Sequence, residues 1–270
     1  MGAKGTVKKT RGPSGSQSIV VPQEERSFER IFEFFKDRLI SGDLRPHDRI
    51  LSERELATRL QVSRGSLREA MRAMAMLGII EIRPGQGTFV RSPDVRVLND
   101  FFGVMLAMRE HLYDDVLEAR IAIECQAIRL ACDNATEADL RHIESALGRV
   151  LQTVQNAEAG AEADYAFHSA IVSASQNEVL RFIYDAITTL LKRSHLERRT
   201  AVIDKPGFLE TLGDAHRQVY EAILLRDADQ AMALLRAHFT IAQDYASSHE
   251  TGDGDEGKTS WSRASGARTR

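Results

Sequence analysis

Between Ser52 and Val90 the hydrophobic period changes once, and that change constrains the fold more than any other feature of the chain. Ser52-Glu53-Arg54-Glu55 places a hydroxyl three residues ahead of a glutamate, a capping-box pattern that opens a helix running through Leu60. Gln61-Val62 makes a tight turn. Ser63 then N-caps another helix with Leu67, Ala70, Met71, Met74 and Leu77 on one face, and Gly78 ends it. At Ile79-Ile80-Glu81-Ile82 a strand becomes possible. Pro84-Gly85-Gln86-Gly87 turns the chain, and Thr88-Phe89-Val90 can return it. Upstream, Phe28, Ile31, Phe32, Phe35 and Leu39 mark an amphipathic helix closed by Gly42. Three helices and a hairpin over residues 25–92 make a winged helix-turn-helix.

The helix after Ser63 turns Arg64, Ser66, Arg68 and Arg72 away from its apolar face. In a helix-turn-helix the start of that helix enters the DNA major groove, where arginine can grip guanine O6 and N7. Ser63 and Ser66 are short donors suited to phosphates, beside a helix N-terminus that favours anions. Arg54 opens the preceding helix at a phosphate-contact position. Gly85 and Gly87 let a wing backbone approach a groove. Arginines on a polar face can also simply be solvated, but the full order of cap, turn, Arg-rich helix and Gly-rich hairpin favours DNA. Charge agrees. Residues 1–92 carry 17 Lys/Arg against 11 Asp/Glu, while residues 93–270 carry 19 against 28. A basic front joined to an acidic back points to a polyanion partner for the front alone.

Beyond a linker at 93–97 the pattern is helical, with seven segments near 97–109, 113–133, 136–156, 160–175, 178–198, 206–225 and 228–247. Short connections predict an antiparallel bundle over 98–247. Residues 1–24 read as a disordered basic arm and residues 248–270 as a disordered tail. No apolar run approaches the roughly 18 residues of a membrane span, and no secretory leader is visible. Cys125 and Cys132 lack a CxxC pairing, so a disulfide scaffold or cysteine zinc site is not expected. They read as core packing. The expected location is the cytoplasm, with no membrane partner.

Polar residues interrupt the apolar stripes of the back half. Asp164 and His168 lie at i and i+4, one face of one helix. His216 sits among Leu212, Val219 and Ile223, and His238 among Leu234, Ile241 and Tyr245. A transition metal would satisfy this Asp and three His together, zinc first, with nickel, manganese or iron also suited. An inward histidine can equally be a core residue bonded to a carbonyl. Arg120 and Glu124 form a second inward pair, consistent with a lined cavity; an arginine beside a metal would hold a carboxylate through its planar fork. His195 is ambiguous, His142 falls off its stripe, and His47, His111 and His249 read as loop or tail.

These residues carry a family resemblance. Gly42-Asp43-Leu44-Arg45-Pro46, Leu51-Ser52-Glu53-Arg54-Glu55-Leu56-Ala57, Val62-Ser63-Arg64-Gly65-Ser66-Leu67-Arg68-Glu69-Ala70, Leu77-Gly78 and Gly85-Gln86-Gly87-Thr88-Phe89-Val90 resemble the DNA-binding domain of GntR regulators over about 27–92. The resemblance implies DNA contacts from Arg54, Arg64, Ser66, Arg68 and Gly85. His47 departs from the family's usual glycine, and Pro84 from a histidine that reaches DNA in some members. Residues 98–246 resemble the FCD ligand-binding domain of the FadR subfamily. Glu118-Ala119-Arg120 with Glu124, Asp164-x3-His168, Asn177, His216 and His238 carry the likeness. The resemblance implies metal ligation by Asp164, His168, His216 and His238, and a ligand site involving Arg120, Glu124 and Asn177. The complete metal set argues against an acyl-CoA ligand.

The expected function is a homodimeric transcription regulator, a repressor, on a palindromic double-stranded operator. A small hydroxy, keto or sugar acid would control it. Two other readings are compatible with the residues. One is a metal-dependent hydrolase or lyase carrying a DNA-binding appendage, for which no further general base stands out. The other is a constitutive DNA-binding protein with a purely structural metal.

Overall fold

The computed structural model describes residues 23–92, 94–106 and 112–248. The expected arm and tail lie almost wholly outside these residues, as do His111 and His249. The chain divides into two compact units, 1–94 and 95–270.

In the first unit α1 (Gln23–Ser41), α2 (Glu53–Leu60) and α3 (Arg64–Met76) precede β1 (Ile80–Arg83) and β2 (Gly87–Val90). The capping box at α2 is complete. Ser52 Oγ accepts from the Glu55 N–H at 3.3 Å, and the Glu55 carboxylate accepts from the Ser52 N–H at 3.0 Å. Ser52→Ala is therefore expected to destabilise the first unit by about 1 kcal/mol, measured as an earlier denaturant transition in that unit. Gln61, with φ 51, supplies the left-handed residue of the helix-turn-helix turn. Ser63 caps α3 by accepting from the Ser66 N–H. Ile31 and Phe35 of α1 meet Leu56 of α2, Leu67, Met71 and Met74 of α3, and Ile80 and Val90 of the hairpin in one core.

One pairing is absent from the sequence reading. Residues 47–50 run along β2: the His47 N–H donates to the Val90 carbonyl, Ile50 to Thr88, and Val90 to Asp48. The chain enters this segment through His47 at φ 76. Glycine adopts that conformation without strain, so the departure from the family's usual glycine falls on a left-handed residue.

The second unit is all-helical among its described residues: α4 (Arg96–Leu106), α5 (Leu112–Asn134), α6 (Glu137–Thr153), α7 (Ala157–Ala174), α8 (Glu178–Ala186), α9 (Thr188–Thr200), α10 (Phe208–Leu224) and α11 (Ala228–Ser248). The segment read as one helix over 178–198 is two, α8 and α9, parted at Ile187 (φ −112, ψ 17). Ile187, Thr188 and Thr189 are consecutive β-branched residues, stiff at χ1 and weak helix formers. The Thr188 hydroxyl also turns back onto the Asp185 carbonyl. Ile128 and Ala131 of α5, Ile143 and Val150 of α6, Phe167 and Ile171 of α7, Ile223 of α10 and Leu235 of α11 share the principal core. Cys125 and Cys132 are buried there as free thiols, and burial pushes both thiols up, consistent with packing. Among the described residues no helix is long and apolar enough to cross a membrane.

Candidate functional site

Four helices converge on one polar cluster inside the second unit. α7 contributes Asp164 and His168, α10 contributes His216 and α11 contributes His238; all four are buried, and their ligand atoms lie within 4.8 Å of one another. His168 Nε2 is 3.1 Å from His238 Nε2 and 3.1 Å from Asp164 Oδ1. His216 Nε2 is 3.1 Å from the same oxygen. α5 adds Arg120 and Glu124, whose side chains join at 3.0 Å in an interior pair.

The tautomers follow from the second contacts. His216 Nδ1 donates to the Leu212 carbonyl at 2.8 Å, which leaves a lone pair on Nε2. His168 Nδ1 lies 2.6 Å from Glu124 Oε2, with the same consequence. Burial, reinforced by His216 and His168, holds the His238 imidazole far below its ordinary range and so neutral. Two imidazole nitrogens facing at 3.1 Å repel unless a proton or cation lies between them. Neutral imidazoles with free Nε2 lone pairs around one carboxylate oxygen are the donors a divalent transition metal requires. The residues fit the group.

Charge around the cluster is held by neighbours. Burial alone would raise the Glu124 carboxyl, but His168 and Arg120 outweigh it and lower it to about 2. Asp164 is likewise buried, yet His195 and His216 hold it well below the usual carboxylate range. The Tyr184 hydroxyl donates to Glu124 at 3.0 Å. Arg120 stacks over the Phe239 ring with its carbon 4.9 Å from the centroid. Its Nη2 is buried without a hydrogen-bond partner in the protein.

Beside the cluster opens a cavity of about 40 Å³ whose lining includes Arg120, Asp164, His195, Arg198, Arg199 and His238. That space accommodates a few water-sized groups, which suits a small acid and not an acyl chain. Asn177 is not among the lining residues. Its side chain caps α8, accepting from the N–H groups of Val179 and Leu180 at 3.1 and 3.0 Å.

Sequence reading left His195 ambiguous and passed over Tyr184, Arg198 and Arg199. His195 is buried with Nδ1 3.4 Å from Asp164 Oδ2, and burial together with Arg120 lowers it to about 4. Leu191, His195 and Arg199 lie at i, i+4 and i+8. A stripe whose later members are His and Arg reads as solvated, although all three are buried.

In the first unit, Arg64 and Arg68 are exposed on α3, and Arg54 is exposed in the first turn of α2. Arg68 pairs with Glu53 at 3.2 Å in the open. Such a pair is worth little, so Arg68 can exchange it for DNA. The Ser63 and Ser66 hydroxyls lie 2.9 Å apart at the start of α3. Gly85 (φ 75) and Gly87 (φ 115) shape the wing, and the Arg49 guanidinium lies so close to Gly87 that a Cβ there would sit 3.0 Å from Nε. A surface groove of about 640 Å³ runs between the start of α2 and the wing, lined in part by Arg49, Ser52, Arg83 and Gly85.

Comparison with known proteins follows the same division. Residues 28–90 match the family described as bacterial regulatory proteins, gntR family, and residues 115–240 match the FCD domain. The HTH-type transcriptional regulator LutR of Bacillus subtilis (strain 168) is 32% identical over 210 residues, covering 77% of this chain and 96% of the relative. The putative L-lactate dehydrogenase operon regulatory protein of Escherichia coli (strain K12) is 32% identical over 199 residues, covering 70% and 74%. The galactonate operon transcriptional repressor of the same organism is 31% identical over 208 residues, covering 75% and 89%. Among solved structures, Streptococcus agalactiae GntR superposes with a TM-score of 0.58 at 21% identity, covering 82% of this chain and 99% of that one, a likeness of fold.

Proposed function

The chain belongs to the gntR family of bacterial regulatory proteins, as a DNA-binding transcription regulator with an FCD domain, and from that premise we propose that it is a repressor released by a small carboxylic acid at a metal centre. Asp164, His168, His216 and His238 would hold the metal, zinc first, with nickel, manganese or iron as alternatives. A metal there would offer a Lewis-acidic position to a carboxylate oxygen. The observation that carries the reading is Arg120. Its buried, unbonded Nη2 belongs to a side chain lining the same cavity as Asp164 and His238, so an acid meeting the metal would also complete Arg120. Hydroxy, keto and sugar acids fit this chemistry. The names of two relatives, one concerned with an L-lactate dehydrogenase operon and one with galactonate, agree with the class.

The acid acts by binding two arrangements of a dimer with different affinity. A second copy is supported by apolar exposure in the second unit. Phe101, Val104 and Met105 of α4 and Val179, Phe182 and Ile183 of α8 are open to solvent, an arrangement typical of an association face. A homodimer presents two α3 helices to a palindromic operator. Arg54, Ser63, Arg64, Ser66, Arg68 and Gly85 form the proposed DNA face. Arg64→Ala should weaken operator binding by about 1–3 kcal/mol and relax preference at one base position; unchanged affinity in a gel-shift titration would place base reading elsewhere.

The acid reading is tested by thermal shift of the metal-loaded protein against a panel of hydroxy, keto and sugar acids. A ligand of the folded state raises the transition temperature. An acid that raises it in the native protein and not in His216→Ala supports the reading. A flat panel at full metal content favours a structural metal.

A further inference from the structure

We propose that the acid sensed at this centre is a dianion, whose second negative group is held by Arg199. The inference rests on the metal–acid reading above and names the ligand class within it. The cations around the cavity do not have equal partners. Arg120 is matched by Glu124 at 3.0 Å. Arg198 donates to the Phe239 carbonyl and feels the charge of Asp114. Arg199 is 2% exposed and lines the cavity. It donates through one Nη to the Val154 carbonyl at the end of α6, while Nε and Nη1 are buried without a hydrogen-bond partner. The only charge shown to favour its ionised form is Asp164, which the metal set already claims.

The charge balance follows. A divalent metal on Asp164 leaves one positive charge, and Arg199 adds a second. A monocarboxylate neutralises one of the two and leaves the other buried, which is costly. A dianion meets both: one carboxylate at the metal and Arg120, the second group against the free edge of Arg199, where two N–H donors match two oxygens. The fold holds the guanidinium in place. It lies over Gly160 in the first turn of α7, where a Cβ would stand only 2.5 Å from its central carbon. Any side chain at that position would displace it.

The test is isothermal titration of the zinc-loaded full chain with matched pairs of acids: glycolate against tartronate, and lactate against malate. Phosphoglycolate stands in for a phosphate as the second anion. One charge-assisted contact predicts that the better dicarboxylate binds at least about tenfold more tightly than its monoacid partner. Arg199→Gln, which keeps a donor for the Val154 carbonyl, should bind monoacids as the native protein does and lose the preference for diacids. Arg199→Lys keeps the charge and should retain part of it. Gly160→Ala, with Arg199 intact, should also reduce the preference. Phosphoglycolate binding more tightly than tartronate would identify the second group as phosphate. Monoacids binding as well as diacids, or a preference that survives in Arg199→Gln, would overturn the inference while leaving the metal–acid reading intact. If neither monoacids nor diacids bind the zinc-loaded protein, the metal–acid reading itself fails.

Discussion

Replacing His216 by alanine should strip the second unit of its metal and silence its response to acid. His216 Nε2 is one of four donor groups confined within 4.8 Å, and its ring is fixed by the Leu212 carbonyl. Loss of a supporting partner around a metal costs about 10- to 100-fold in affinity; loss of a ligand should cost more. The variant should fold, because the substitution removes a polar group whose contacts are to Asp164 and one backbone carbonyl. Metal analysis of the purified protein after dialysis reads the outcome. Stoichiometric metal in His216→Ala would exclude this ligand set.

The second large effect is expected at Arg120, and it separates ligand recognition from metal binding. Arg120 and Glu124 are almost fully buried as a pair. Removing one partner of such a pair strands the other, at a cost of about 3–5 kcal/mol. Arg120→Ala alone would therefore lower stability whatever its role, and Glu124 would lose a neighbour that helps hold its carboxyl at about 2. The informative variant pairs Arg120→Met with Glu124→Gln, which removes both charges and keeps the volumes close. This protein should retain metal on Asp164, His168, His216 and His238, and its transition temperature should no longer rise with acid. A normal acid response would remove Arg120 from the ligand site. Loss of the metal as well would show that Glu124, through His168 Nδ1, is required to orient that ligand.

The legibility of the two units differed for physical reasons. Ser52, Ser63 and the glycines of the wing announce themselves because caps and turns demand particular side chains at particular offsets. The metal cluster was equally visible, since Asp164, His168, His216 and His238 interrupt otherwise apolar stripes. Arg198 and Arg199 were not, because Lys192-Arg193-Ser194-His195-Leu196-Glu197-Arg198-Arg199 carries the composition of a solvated helix. Only tertiary packing shows that one of its faces is buried against α7 and α11. The break at Ile187 was hidden for a related reason. A β-branched run weakens a helix without forbidding it, and the packing of α8 and α9 decides the outcome. The pairing of residues 47–50 with β2 is non-local and follows a proline, so no period revealed it.

The central claim is that acid at the metal centre controls operator binding, and the most direct measurement is operator affinity by fluorescence anisotropy at fixed salt. It is made on metal-loaded and metal-stripped protein, with and without the acid that gives the largest thermal shift. Coupling between sites of this kind is typically worth 5- to 150-fold, about 1–3 kcal/mol. The account predicts a weakening within that range on adding acid to the metal-loaded protein, and no change in the metal-stripped protein or in His216→Ala. Equal operator affinity with and without acid, at full metal occupancy and with the acid demonstrably bound, would contradict it.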